Sequence, residues 1–250
     1  MTDTTGLRTA ITGLIGLAAT EEEVLLASAP NAEDGSPDRW AAAPLVAHNA
    51  EFRQQQVVRL HAVQRGGTPP DFAGTDHRSP EAYRRYCAGT KAEVTAASRQ
   101  SASELIDGLA AVSDEDLSDT SRHPWLRGRQ LWLQVVVRGF WHPAGHLGDY
   151  YIACGQAGRA VAMQSHALVT SRYLGVPDPA LGMAAYSLAC TQAATNDPAG
   201  AAATLTEAIR LNPHLRANAR RDPDLAALRA GGQLATLLRE PGSSPGGRRA

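Results

Sequence analysis

Apolar side chains recur at helical intervals along most of the chain, and the strict alternation that is typical of β-strands is almost absent. Near the N-terminus, Leu7, Ile11 and Leu14 follow one another at spacings of four and three residues. Clusters of proline and glycine interrupt the pattern at residues 30–37 and 65–70. The sequence therefore predicts an all-α fold whose helices are separated at these breakers.

Four long segments have the length and pattern of bundle helices. The first lies before residue 30, the second runs from about Trp40 to Gln64, and the fourth begins near Gly128. The third starts at Ser79, because a hydroxyl cap followed by a proline and an acid favours a helix N-terminus. Its apolar stripe predicts one long helix from there to Val112. Four long helices with short or medium connections predict a four-helix bundle.

The last hundred residues have a different texture. Small and large apolar residues recur there with the offsets of tetratricopeptide helix pairs, one set from Leu147 and a second from Leu188. We therefore divide the chain into a bundle (1–155), a short extension of tetratricopeptide-like repeats (147–238) and a disordered tail (239–250). Because Leu147 to Gly155 belong to both units, we expect the fourth bundle helix to run into the first repeat.

Charge and cysteine content exclude several classes of protein. The chain has 24 basic and 25 acidic side chains, so its net charge of -1 offers no attraction for nucleic acid or anionic lipid. The uncharged residues 9–20 are fewer than the ~20 that a membrane span needs, and no clearly positive segment precedes them. The three cysteines are far apart, which suits a reducing compartment. We expect a cytoplasmic protein with neither nucleic-acid nor membrane partners.

His142 and His146 form an HxxxH pair on the predicted fourth helix. Residues four apart share one helix face, with Cβ atoms about 6 Å apart, so two imidazoles there can share one metal ion. Both histidines continue the apolar stripe of Leu131 and Val135, so we expect them to point into the bundle, where a metal would satisfy them. Pro143 removes one backbone hydrogen bond and predicts a local kink.

His48 is the best candidate for a third ligand, because it lies on the stripe of Leu45 and Phe52 on the second helix. Three histidines leave at least one open position, which is typical of a catalytic metal site, and their nitrogens suit zinc, nickel or iron. The alternative is that each is an ordinary histidine. Glu51 and Asp149 lie one turn beyond the ligands and either orient an imidazole, contact a bound water or are solvated charges.

Other residues carry weaker signals. Cys87 could reach the bundle interior as a small apolar group, and Arg138 either holds an anionic substrate group or forms a surface salt bridge. We expect the tryptophans of the fourth-helix region to pack the end of the bundle, namely Trp125, Trp132 and Trp141. The remaining histidines have no partner at a useful spacing and are predicted to be ordinary polar positions: His61, His77, His123, His166 and His214.

The segment from Trp40 to His48, followed later by His142 and His146, resembles the DinB/YfiT-like family. The resemblance covers about residues 5–155 and implies a four-helix bundle that holds a divalent metal ion through these three histidines. The family includes thiol-dependent isomerases and S-transferases and a resistance protein. For this chain the resemblance therefore implies a metal-dependent S-transferase that uses a low-molecular-weight thiol, or a small-molecule hydrolase. Pro143 and the repeats depart from the usual family pattern.

A second hypothesis belongs to another class. The repeats could present a groove to a protein or peptide partner, with the bundle as a scaffold and without catalysis, although two repeats are few for such a groove. A small-molecule substrate belongs to the first hypothesis, and a homodimer is compatible with either one. The metal content of the purified protein distinguishes the two.

Overall fold

The computed structural model describes residues 4–29, 35–36, 39–72 and 79–238. Within these ranges the regular structure is helical, and the only β-type pairing is an isolated bridge between Ser36 and Arg39. The predicted all-α fold is confirmed. None of the described helices has the length and apolar character that crossing a membrane would require. The chain divides after Tyr150 into two compact units.

The helices that begin in the first unit include the four long elements of a bundle. α2 packs along α4, and α1 packs against α4 and against the fourth-helix region. A 3₁₀ turn follows α5 at Pro124–Leu126. The seven helices are α1 (Thr4–Ser28), α2 (Ala42–Gln64), α3 (Pro80–Tyr86), α4 (Lys91–Ala111), α5 (Asp114–Ser118), α6 (Leu131–Val136) and α7 (His142–Ala153).

The predicted third helix is wrong in its extent, because two helices, α3 and α4, occupy that segment. α4 starts anew at a capping box: the Thr90 hydroxyl accepts the N–H of Glu93 at 3.3 Å, and the Glu93 carboxylate accepts the N–H of Thr90 at 2.8 Å. Ser79 does cap α3, accepting the N–H of Ala82 at 3.2 Å. Since the chain turns between the two helices, Cys87 is exposed and does not reach the bundle interior.

A π-helical turn interrupts the fourth bundle helix just before Pro143, and the kink expected at Pro143 stays a prediction. α6 is followed by the turn Val137–Trp141, in which the N–H of His142 bonds to the carbonyl of Val137, and α7 continues from there. A π turn inserts one extra residue and changes the direction of the side chains that follow it. Gly139 permits close packing at this turn, since a Cβ there would lie 2.8 Å from Cγ1 of Ile15.

A buried ion pair joins three helices of the bundle. The side chains of Glu22 on α1 and Arg53 on α2 are both 0% exposed, and their closest atoms are 2.6 Å apart. Each of the three guanidinium nitrogens donates a hydrogen bond, two of them to the carboxylate and two to the hydroxyls of Ser98 and Ser101 on α4. The amide of Asn49 also donates to Glu22, at 2.9 Å. We call these five residues the ion-pair cluster.

The second unit is also helical. Gly155, at φ +71°, lies in the turn after α7, and the helices that follow are α8 (Ala157–Tyr173), α9 (Asp178–Ala194), α10 (Pro198–Leu211), α11 (Leu215–Ala219), α12 (Ala226–Ala230) and α13 (Gln233–Leu237). α9 packs against both α8 and α10. The tetratricopeptide-like repeats, the domain limits and the shared end of the fourth helix stay predictions. The predicted tail at 239–250 lies outside the described residues.

Candidate metal centre

The three predicted histidines lie together. His48 on α2 and His142 and His146 on α7 each offer one ring nitrogen, and these nitrogens lie within 4.8 Å of one another. The Nε2 atoms of His48 and His142 are 3.0 Å apart. His48 is 3% exposed, whereas His142 and His146 are half-buried. The cluster is therefore buried on the side of α2 and partly exposed on the side of α7.

The donor set fits a divalent transition-metal ion. Two nitrogens bound to one ion, each about 2.1 Å from it, are about 3.4 Å apart at a tetrahedral angle and about 3 Å apart at the right angle of an octahedral site. The separation of 3.0 Å between the Nε2 atoms of His48 and His142 agrees with the second of these values, and it also suits an N–H···N hydrogen bond between two imidazoles. Three imidazoles are compatible with zinc, nickel or iron. Metal binding by this set stays a prediction.

Aromatic rings surround the histidines and limit how they can turn. The ring of His48 lies 5.0 Å from Trp40, 4.5 Å from Phe52 and 5.3 Å from Tyr86. Phe52 stacks on His142 at 4.1 Å with an interplanar angle of 13°. Packing on several sides leaves an imidazole few rotamers, so this wall preorganises the three ring nitrogens.

Tyr86, the last residue of α3, reaches the histidines beside Glu51. Glu51 on α2 pairs with Arg85 on α3 at 3.0 Å. Burial and, after it, a hydrogen bond to Glu51 raise the pKa of Tyr86 to about 12. Glu51 therefore supports the centre at one remove, by fixing the tyrosine that contacts His48. Asp149, the other acid considered, is exposed.

A surface salt bridge was one of the two predicted roles of Arg138, and none joins it to another residue that the structure describes. Its guanidinium carbon lies 4.6 Å from the centroid of the Phe52 ring, and the side chain is half-buried. Burial lowers its pKa. In the part of the chain that the structure describes, no carboxylate lies within ion-pair distance of it. Sequence spacing placed Arg138 one turn before His142, but spacing alone does not reveal that it lies over Phe52.

The other histidines and the tryptophans occupy varied positions. His61, His166 and His214 are exposed, and His77 lies outside the described residues. His123 is buried, and its Nε2 lies 2.9 Å from the carbonyl oxygen of Asp116. Trp132 is buried, while Trp125 and Trp141 are half-buried.

A second cluster, in the second unit, was not found from the sequence. The Cys190 thiol and the carboxylates of Asp222 and Asp224 lie within 4.8 Å of one another. Asp222, however, accepts the hydroxyl of Tyr186 at 2.7 Å and the N–H of Asp224 at 3.1 Å, so it caps the 3₁₀ turn Pro223–Leu225. Burial raises the pKa of the Cys190 thiol, whereas a metal ligand must be a thiolate. This arrangement fits a structural cap better than a metal site.

The three histidines lie in a segment that matches a known protein family. The model of the DinB superfamily matches residues 9–149, which is more than half of the chain. The matched segment contains His48, His142 and His146 and nearly all of the first unit. No curated protein and no solved structure matches the chain.

Proposed function

The chain belongs to the DinB superfamily, and on this premise we propose that it is a divalent-metal-dependent enzyme whose metal is held by His48, His142 and His146. The observation that most supports the proposal is the approach of three ring nitrogens to within 4.8 Å of one another. Each of these histidines comes from one of two bundle helices, α2 or α7, that are far apart in the sequence.

The number and exposure of the ligands favour a catalytic site over a structural one. Structural zinc sites have four protein ligands, whereas three leave a position for substrate. When bound, a divalent ion supplies a Lewis acid and lowers the pKa of a coordinated water or thiol. The protein contributes the orientation of the imidazoles, which Trp40, Phe52 and Tyr86 restrict, and the half-exposed approach beside His142 and His146.

The charge of the ligand set favours a particular reaction class. Three neutral imidazoles bring no negative charge to the centre, so its remaining ligand is expected to be an anion such as a thiolate, hydroxide or carboxylate. This supports the transfer of a low-molecular-weight thiol to a small molecule as the leading activity. Hydrolysis of a small molecule, including a resistance reaction, is the other activity that the same centre supports.

Elemental analysis of the purified protein tests the proposal. After exposure to zinc, nickel and iron, we expect about one metal ion per chain, lost in His48→Ala and in His142→Ala. His61→Ala is the matched control, because His61 lies on the same helix and is exposed. A thiol-conjugation screen with and without chelator then tests turnover. A wild-type protein that takes up none of the three metals at this level would contradict the proposal that the chain is a metal-dependent enzyme.

A second candidate function is a non-catalytic module that binds a protein or peptide through the second unit. It is supported by two large apolar side chains one turn apart on α8, Val169 at 60% exposure and Tyr173 at 78%. A homodimer is one form of this proposal. Light scattering of the wild type and of Tyr173→Glu tests it, since a dimer formed through this face would dissociate in the variant. Absence of metal together with a Tyr173-dependent dimer would favour this candidate.

A further inference from the structure

Phe52 forms one side of the centre of His48, His142 and His146, and Arg138 and Arg59 lie on that side. The Phe52 ring contacts His48 at 4.5 Å and stacks on His142 at 4.1 Å, and the guanidinium carbon of Arg138 lies 4.6 Å from its centroid. Arg59 is seven residues beyond Phe52 on α2, about 10 Å along the helix axis. Along this side of α2, the histidines therefore lie at one end and the two arginines lie at the other.

Arg59 is buried and Arg138 is half-buried, and neither forms an ion pair with another described residue. Burial lowers the pKa of Arg59 to about 10, the charge of Arg138 lowers it as well, and the carboxylate of Asp71 opposes both effects. The two guanidinium groups are thus near enough to repel each other. Within the described ranges, neither group has a carboxylate at ion-pair distance. Nη1 of Arg59 and Nε of Arg138 are buried and have no hydrogen-bond partner in these ranges.

A third polar side chain on the same stretch of α2 is also unsatisfied. Gln56 lies between Phe52 and Arg59 and is 0% exposed. Both its amide nitrogen and its amide oxygen lack a hydrogen-bond partner among the described residues. Buried polar atoms in native proteins are nearly always paired, so a run of unpaired ones marks a place where ordered water or a bound ligand completes the hydrogen bonds.

We propose that Arg59 and Arg138 bind an oxyanion, a carboxylate or a phosphate, at the end of the substrate remote from the histidine centre. The inference rests on the proposed function and adds the substrate class to it: a small organic anion whose reacting group lies several bonds from its charge. A buried guanidinium without an anion is costly, and an incoming oxyanion removes that cost for both groups at once.

The geometry of the two side chains suits this role. A guanidinium group presents a planar fork of N–H donors that matches a carboxylate or a phosphate through paired hydrogen bonds. Each fork already lies against an aromatic ring, Arg138 against Phe52 at 4.6 Å and Arg59 against Phe72 at 4.7 Å. The stacking limits their rotamers before the anion arrives, so little side-chain entropy is lost on binding.

Calorimetry with simple anions tests the proposal on the full chain, both after chelator treatment and after loading with metal. The probes are inorganic phosphate and succinate, with uncharged succinamide as the matched neutral molecule, all at constant ionic strength. We expect Arg59→Gln and Arg138→Gln each to weaken anion binding about tenfold or more. Arg99→Gln is the control, because it removes the same charge from an exposed arginine paired with Glu23 and should leave binding unchanged.

The outcomes separate this inference from the proposed function. Binding of phosphate alone or of succinate alone supports the proposal and identifies the anionic group. Equal, weak binding of both anions and of succinamide would overturn it, and so would anion binding that both Gln variants retain. If a Gln variant does not fold, Arg59→Lys and Arg138→Lys replace it, since they keep the charge and lose the planar fork. Anion binding by a chain that takes up no metal would support this inference and contradict the proposal of a metal-dependent enzyme.

Discussion

Helix α2 carries two arginines whose surroundings are opposite in character. Arg53 points into the ion-pair cluster, where Glu22 neutralises its charge and Ser98 and Ser101 complete its hydrogen bonds. Arg59, six residues later, lies over the Phe72 ring near the charge of Arg138, and the Asp71 carboxylate opposes that charge without forming an ion pair with Arg59. Both side chains are largely buried, so the difference lies in the partners that the fold provides and not in exposure.

The difference separates stability from binding. A buried charge that the protein itself pairs holds its helices in one arrangement, and removing one partner is strongly destabilising. A buried charge that the protein leaves unpaired costs stability and gains a partner only when a ligand arrives. Sites where a sequence departs from internally satisfied packing are commonly functional sites. The ion-pair cluster is thus structural, and the face with Arg59, Arg138 and the histidines is the one suited to a ligand.

The largest effect is expected on breaking the ion-pair cluster. Arg53→Met should lower the free energy of unfolding by about 3–5 kcal/mol, because it leaves the carboxylate of Glu22 buried without its counterion. Urea denaturation at neutral pH measures the loss. The double variant Glu22→Leu with Arg53→Met is the control, since removing both charges should restore much of the stability. A single variant as stable as the wild type would mean that the cluster does not hold α1, α2 and α4 together.

The next largest effect is the stabilisation of the folded chain by a metal ion bound to the three histidines. A divalent ion at one hundred times its Kd should raise the free energy of unfolding by about 2.7 kcal/mol, because it binds only the folded chain. Thermal denaturation with and without chelator measures the shift. We expect none in His48→Ala and the full shift in His61→Ala. An equal shift in both variants would place the metal elsewhere.

A smaller effect of opposite sign is expected for the unpaired arginines. Arg59→Met should leave the protein as stable as the wild type or about 1 kcal/mol more stable, because it replaces a buried charge that has no ion-pair partner among the described residues with an apolar side chain of similar length. Urea denaturation of this variant beside Arg53→Met makes the comparison direct, since both remove one arginine from α2. A loss as large as that of Arg53→Met would show that Arg59 has a structural partner.

Much of the fold and of the centre could be predicted because the signals are local. Helical spacing gave α2 within two residues at its start, and the histidines stand at spacings that one helix face dictates. The split of α3 from α4 was also encoded locally, in the capping box of Thr90 and Glu93, but the continuing apolar stripe outweighed it. Local signals are therefore sufficient only where they do not compete.

Contacts between helices could not be predicted in the same way. Glu22 and Arg53 are 31 residues apart, and a glutamate on a helix is usually a solvated side chain, so nothing in the spacing indicates a buried pair. Arg138 presents the converse case, because it has no ion-pair partner among residues 4–29, 35–36, 39–72 and 79–238, and that depends on which residues the packed helices place opposite it. Pairing across helices is a property of the tertiary structure, and a single sequence without aligned homologues does not specify it.

The smallest effect concerns the Asp222 cap in the second unit, where burial keeps the neighbouring Cys190 thiol protonated. Burial raises the pKa of the Cys190 thiol above its ordinary value of 9.0, and the carboxylates of Asp222 and Asp224 raise it further. Above pH 9 the unfolded chain loses this proton while the folded chain keeps it, so stability is fully present below that pH and falls as the pH rises. Urea denaturation between pH 8 and 10 should therefore give a steeper decline for the wild type than for Cys190→Ala. The slopes are compared and not the absolute stabilities, since alanine also removes packing. Equal slopes would mean that the Cys190 thiol ionises in the folded state as readily as in the unfolded one. Asp222 would then cap the turn while Cys190 is accessible to water.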